Sequence, residues 1–211
     1  MELDQTSYKD LSIFQQEEEF SVFRKLDFTQ TTEGREWLYK LFSQPFSDLS
    51  SILQTQQVIR SILHDIGEWP ASITNGTLMV MEKFFESTID HMGGSDNWIA
   101  ALAYKIFHGP DFSLVRYSIQ HFADFLRGMQ QLIALLDNDA SPAIMRGYLQ
   151  RARDLMKAGI IQELQQRDKS RPFNIRETVY YGSYIRDHYR HKSHELISIF
   201  GRLDAWYSMA K

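Results

Sequence analysis

The sequence predicts an all-α protein, and three observations carry that expectation. Apolar residues recur at spacings of three and four along almost the whole chain, the signature of one buried face per helix. Alternating runs of β-branched residues, which would mark half-buried strands, are scarce. All five prolines, Pro45, Pro70, Pro110, Pro142 and Pro172, fall where a helix would begin or end. At such edges a missing N–H and a fixed φ do least harm.

The elements follow in order. Short helices are expected near Leu38 to Phe42, from Asp48 to Ile66, from Thr77 to Ile89 and from Asp96 to Phe107, with Asn75-Gly76 read as a turn between helices. A longer helix, Phe112 to Leu136, closes at the polar triplet Asp137-Asn138-Asp139. Ser141 then reads as an N-cap, with Pro142 at the first helical position of a segment running unbroken to about Gln166. Its apolar set is Ile144, Tyr148, Ala152, Leu155, Met156, Ile160 and Leu164.

After a short basic link, Lys169 to Phe173, Asn174 and Glu177 supply an N-cap and its capping-box acid. The helix they open runs to the end of the sequence on the stripe Ile185, Tyr189, Leu196, Ile199, Leu203, Trp206 and Ala210. A helix of about 35 residues is roughly 50 Å long. Two long amphipathic helices joined by a short link are antiparallel neighbours, so the expected architecture is a globular multi-helix lobe over residues 1–140 and a long antiparallel hairpin over 141–211.

With 211 residues, 43% of them hydrophobic, the chain is long and apolar enough to bury a sizeable core. The absence of cysteine removes disulfides, thiolate metal sites and thiol nucleophiles, which fits a reducing compartment. The acidic, polar N-terminus is unlike a signal peptide, and no apolar run would span a membrane, so the expected location is the cytoplasm. The helical pattern has no stop signal near Lys211, and the expectation is that the natural protein continues beyond it.

The net charge of −4 argues against non-specific nucleic-acid binding by the chain as a whole. The charge is unevenly spread. Between Arg167 and Lys192 seven Lys/Arg stand against three Asp/Glu, so one segment is basic within an acidic chain.

No catalytic centre is legible. No glycine is followed by lysine, which excludes a Walker loop, and neither G-x-S-x-G nor H-E-x-x-H occurs. His188, His191 and His194 share one helix with Asp187 and Glu195. The outer two histidines point about 120° apart at 100° per residue, too divergent for one ion, so no metal is expected there. His64-Asp65, Asp90-His91 and His121 with Asp124 read as isolated acid and base neighbours on helices. Tyr180, Tyr181, Tyr184 and Tyr189, interleaved with Arg186 and Arg190, read as packing aromatics with arginines turned outward rather than as a base-stacking surface.

Leu26, Asp27, Thr29, Thr31, Gly34, Leu38, Pro45, Asp48, Ile52 and Gln56 form an ordered series: leucine-aspartate, T-x-T-x-x-G, an amphipathic helix, P-x-x-D and I-x-x-x-Q. Near the end, Leu203 and Asp204 with Ser208 and Ala210 give L-D-x-x-x-S-x-A. This series resembles the central domain of the MutS family of DNA mismatch-repair proteins, with Leu3, Asp4, Leu11 and Ile13 resembling its strand-like opening. The residues make sense as fold determinants. Thr31 or Thr32 caps a helix whose Leu38 and Leu41 face inward, Pro45 stops it, and Asp48 caps the next.

The resemblance implies a core lobe and lever helices that couple a C-terminal nucleotide-binding domain, expected beyond Lys211, to DNA. It implies no cofactor in this stretch, ATP and Mg for the full-length protein, double-stranded DNA as partner through that protein, and a homodimer formed through the ATPase domain. Departures are Thr55 where the family has Arg, Asp10 where it has Asn, Leu41 at the place of its Trp, and a link too short for a clamp. Under this reading Arg167, Lys169, Arg171 and Arg176 are the candidate DNA contacts, through phosphates only. The rival is a helical protein-interaction module without nucleic acid, for which the basic link is a solvated face.

Overall fold

The computed structural model describes residues 12–14, 21–90, 92, 98–138 and 141–211. Leu3, Asp4, Asp10, Leu11, His91, Asp96 and Asp139 lie outside them. Among the described residues every regular element is a helix, and none is a strand. The order is α1 (Val22–Leu26), α2 (Thr32–Ser43), α3 (Leu49–His64), a 3-10 turn (Ile66–Glu68), α4 (Asn75–Glu86), α5 (Trp98–Phe107), α6 (Gly109–Leu136), α7 (Ala143–Met156), α8 (Gly159–Gln166), α9 (Ile175–Tyr184), a π-helical turn (Ile185–Tyr189) and α10 (Arg190–Ala210).

Side-chain caps set five of the starts, those of α1 to α4 and of α9. Thr31 accepts from the N–H of Gly34 to open α2, and Asp48 accepts from Ser51 to open α3. Asn174 and Glu177 form the expected capping box of α9. Two starts differ from expectation. The stretch Asn75-Gly76 is not a turn but the first two residues of α4, because Thr74 and Thr77 form a reciprocal capping box ahead of it. Ser141 does not cap α7. Its hydroxyl donates to the carbonyl of Leu136 at 2.5 Å and accepts from the N–H of Asn138 at 2.9 Å, closing the preceding turn, and the carbonyl of Pro142 takes the first bond of α7 from Arg146.

The segment expected to run unbroken to Gln166 is two helices. Ala158 is extended, at φ −61° and ψ 131°, and Gly159 starts α8. The break re-phases the apolar face. Met156 and Ile161 are both buried although five residues apart, a spacing that an uninterrupted α-helix would rotate out of register. The chain after Asn174 is helical from Ile175 to Ala210, and the whole expected stripe from Ile185 to Ala210 is buried.

The chain forms two compact units, each discontinuous in sequence, whereas the sequence suggests a division at 140/141. The first comprises Met1–Trp69, Leu132–Arg151 and Ile197–Lys211; the second comprises Pro70–Gln131 and Ala152–Leu196.

In the first unit Phe23, Leu38 and Ala205 form a buried cluster flanked by Trp37, Leu41, Phe42 and Met209. Helices α2 and α10 approach closely through glycine. A Cβ on Gly201 would lie 2.4 Å from Glu33 Cγ and 2.9 Å from a Trp37 ring carbon, so side chains are excluded at that crossing. Arg202 stacks over the Trp37 ring at 3.9 Å and donates to the Tyr148 hydroxyl.

In the second unit Phe84, Phe85 and Phe122 pack as a mutually tilted aromatic group. Two side chains of the π-turn satisfy carbonyls at helix ends. Arg186 donates to Phe84 and Ser87 at 2.6 Å each, closing α4, and the Tyr189 hydroxyl donates to Leu155 near the end of α7 at 2.9 Å. Gly182 admits Val115 and Met92, where a Cβ would stand 2.4 and 3.2 Å away.

Candidate functional site

The basic link lies in the second unit, between α8 and α9. Its four candidate cations are not equivalent. The side chain of Arg167 is only 9% exposed and pairs with Glu177 at 2.9 Å. It also donates to the carbonyls of Asp168, Arg171 and Pro172, and lies 4.0 Å over the Phe173 ring. Arg167 thus folds the link around itself, with the buried Phe173 as anchor. Burial alone would raise the Glu177 carboxyl. The Asn174 N–H and the guanidiniums of Arg167 and Arg171 outweigh it and hold that carboxyl below the usual range.

Lys169 and Arg171 are 69% and 66% exposed, and their contacts are loose: 3.3 Å to Asp124 and 3.9 Å to Glu177. Arg176 is exposed on the first turn of α9. Lys169, Arg171 and Arg176 therefore present charge to solvent, while Arg167 supports them from beneath. Arg127, which the sequence did not single out, donates to the carbonyls of Gln165 and Arg167 at 3.1 and 2.8 Å and so caps α8. Tyr181 and Tyr189 are buried, Arg186 serves the end of α4, and Arg190 lies over Phe85. That run is packing, not an open stacking surface.

The family-like residues Asp27, Thr29, Thr31, Gly34 and Asp204 converge in the first unit. Asp204 is fully buried and accepts from the N–H of Gln30 at 3.0 Å, the N–H of Thr31 at 2.9 Å and the Thr31 hydroxyl at 2.7 Å. The same Thr31 oxygen accepts from the N–H of Gly34 at 3.1 Å, so one hydroxyl links the buried carboxylate to the helix cap. A Cβ on Gly34 would stand 2.1 Å from Asp204 Oδ2, which explains why that position holds glycine.

Asp27 accepts from the Thr29 hydroxyl at 2.6 Å and pairs with Arg35 at 3.0 Å. Ser208 accepts from Phe28 N–H and donates to the Leu26 carbonyl, at 2.7 Å each. Burial pushes the Asp204 carboxyl up to about 6 despite its three donors, and the neighbouring Asp27 adds to the rise. Leu38 and Leu203 are core residues. Asp48 caps α3, and Pro45 and Gln56 line an apolar groove with Leu41, Phe42, Ile52 and Met209.

Elsewhere in the first unit an open polar cleft of about 780 Å³ is lined by Arg60, His64, Asp65, Asn138 and Arg146. His64 meets Asp65 at 2.7 Å, but the pair is on the surface with His64 86% exposed. Burial lowers the His121 imidazole, opposed by Asp124. His188, His191 and His194 are all exposed along one helical run. Among the described residues the grouping compatible with a metal lies elsewhere, at Asp90, His108 and Asp111. The sequence read Asp90 only with its neighbour His91. The partner that matters, His108, is brought in by tertiary structure, and only the His108/Asp111 spacing of three was visible beforehand. No family model, curated protein or solved structure matches the chain.

Proposed function

We propose that this chain is the core and lever segment of a MutS-like DNA-repair ATPase, coupling a nucleotide-binding domain to a DNA contact made through phosphates. What supports the reading is the knot around Asp204. Residues grouped by the family resemblance, from Asp27 to Gly34 and from Leu203 to Ser208, lock together although about 170 positions separate them. Each has a physical reason to be the residue it is, which is what a shared scaffold requires. In this reading the helical run Ile175–Ala210, which contributes to both units, is the returning lever, and helices α7 and α8 form a jointed partner to it.

The DNA contact falls to Lys169, Arg171 and Arg176, with Arg167 holding their backbone in place. Three phosphate contacts give a log Kobs against log [salt] slope of about −3 for duplex DNA. The test is duplex binding across a salt series for the protein and for the charge-reversed variant Lys169→Glu/Arg171→Glu/Arg176→Glu, with Arg60→Glu/Arg146→Glu as a second basic surface. Binding should be lost in the first variant and kept in the second. Unchanged binding in the first variant discards the assignment.

A second reading, a protein-interaction module, has its own observation. Around the apolar groove Phe46, Leu49, Ile52 and Leu53 are 40, 70, 39 and 47% exposed, more apolar surface than a helix pair needs to leave uncovered. Absence of any duplex binding at low salt would move the function to this surface.

A further inference from the structure

We propose that Asp90, His108 and Asp111 form a binding site for one divalent transition-metal ion, Zn²⁺ foremost. The site belongs to the second unit and is independent of the DNA-repair reading. Asp90 lies in the loop after α4, His108 in the joint between α5 and α6, and Asp111 in the first turn of α6. Their ligating atoms all lie within 4.8 Å of one another, and His108 Nδ1 is 2.9 Å from Asp90 Oδ2. Bonds of about 2.0–2.2 Å place the donor atoms of a tetrahedral ion roughly 3.3 to 3.6 Å apart, so the three groups must close on it by up to about an ångström.

The groups are held in place by contacts outside the ligand set. The His108 ring stacks on Tyr104 with centroids 5.1 Å apart and planes 20° from parallel, which aims Nδ1 at the carboxylates. The Tyr104 hydroxyl donates to the Asp90 carbonyl, and the Asp90 N–H donates to Asp111 Oδ2, both at 3.4 Å. Arg186 fixes the end of α4, from which Asp90 departs.

Charge points the same way. Two carboxylates face one imidazole, and among the described residues no Lys or Arg forms an ion pair with either of them. The nearby Lys105 and Arg116 lie over the Phe112 ring instead, each 5.9 Å from its centroid. A divalent cation neutralises this cluster. One nitrogen and two carboxylate oxygens favour Zn²⁺, Co²⁺ or Mn²⁺ over Ca²⁺ and Mg²⁺, which prefer all-oxygen shells. With Asp90 67% and His108 38% exposed, water completes the coordination. The ion would tie the α4 loop to the α5–α6 joint, and its binding would stabilise the second unit.

The experiment is calorimetric titration of Zn²⁺ into the protein in excess Mg²⁺, with Co²⁺ absorption to report ligand type. The expected result is saturable uptake of one ion, with visible bands of nitrogen and oxygen ligation. His108→Ala and the isosteric Asp111→Asn should each weaken it about tenfold or more. The pair His188→Ala/His191→Ala, on the other histidine-bearing helix, should leave it unchanged. Melting curves without metal show that each variant is folded, and Asp111→Asn keeps the test decisive if His108→Ala unfolds. Absence of saturable uptake, uptake that survives Asp111→Asn, or uptake lost with His188 and His191 overturns the proposal.

Discussion

Replacing Gly34 by alanine pits helix propensity against a single buried contact. In an exposed helix the change would stabilise by about 1 kcal/mol. Here the new methyl would sit 2.1 Å from Asp204 Oδ2, 2.6 Å from its Cγ and 2.8 Å from its Cβ, so the carboxylate has to withdraw. Withdrawal strips the acceptor from the N–H and hydroxyl of Thr31, which is only 4% exposed, while half-buried Gln30 recovers a water. Leaving those buried donors unpaired and losing their charged hydrogen bonds costs about 3–5 kcal/mol. The net is a loss of about 2–4 kcal/mol once propensity is subtracted.

Urea unfolding followed by tryptophan fluorescence reads this out, because Trp37 and Trp206 report on the same unit. The companion measurement repeats Gly34→Ala on an Asp204→Gly background, where all three clashing atoms are gone. There the substitution should be neutral or mildly stabilising. A Gly34→Ala protein as stable as the parent, or an equal loss in both backgrounds, would refute the account of the knot.

Two further outcomes follow from buried groups. Because the folded Asp204 carboxyl titrates near 6 rather than near 3.8, the folded state holds that proton more tightly than the unfolded chain. This contribution, about 3 kcal/mol, is present in full below the unfolded pKa and is lost as pH rises through the folded one. Unfolding free energies between pH 4 and 6.5 should therefore show the parent losing ground against Asp204→Asn; a flat difference would be inconsistent with the burial described. Tyr189→Phe removes the donor to the Leu155 carbonyl at a site 1% exposed and should lower stability by about 1–2 kcal/mol, whereas Tyr117→Phe, 56% exposed, should have no measurable effect on the thermal midpoint.

The helical class was legible because periodicity is a local property, and the stripe from Ile185 to Ala210 is buried as spacing implied. Asn174 with Glu177 was equally local. The failures arose where a local signal met a tertiary one. Ser141 has the right chemistry for a cap, but its hydroxyl serves the end of α6. Thr74 outranks Asn75-Gly76 because a reciprocal pair of threonines satisfies two orphan groups at once. The break at Ala158 was hidden because Ile160 and Ile161 are adjacent and either fits the stripe; only the packed face selects Ile161.

For the candidate site, composition located the basic link but could not rank its members. Arg167 and Lys169 are two residues apart and of the same charge, yet one is enclosed and the other is in water. The grouping of Asp90 with His108 has no sequence signal, since it depends on where a loop ends after α4.

The interleaved make-up of the first unit sets a rule for anyone dissecting this protein. Three stretches, the last beginning at Ile197, supply its parts. No single scission of the polypeptide therefore releases it whole, and a fragment that stops ahead of Asp204 would leave the loop before α2 without its fastening. A workable minimal version has to splice distant pieces, by linker or circular permutation, so that the final helical turns stay attached to the front of the chain.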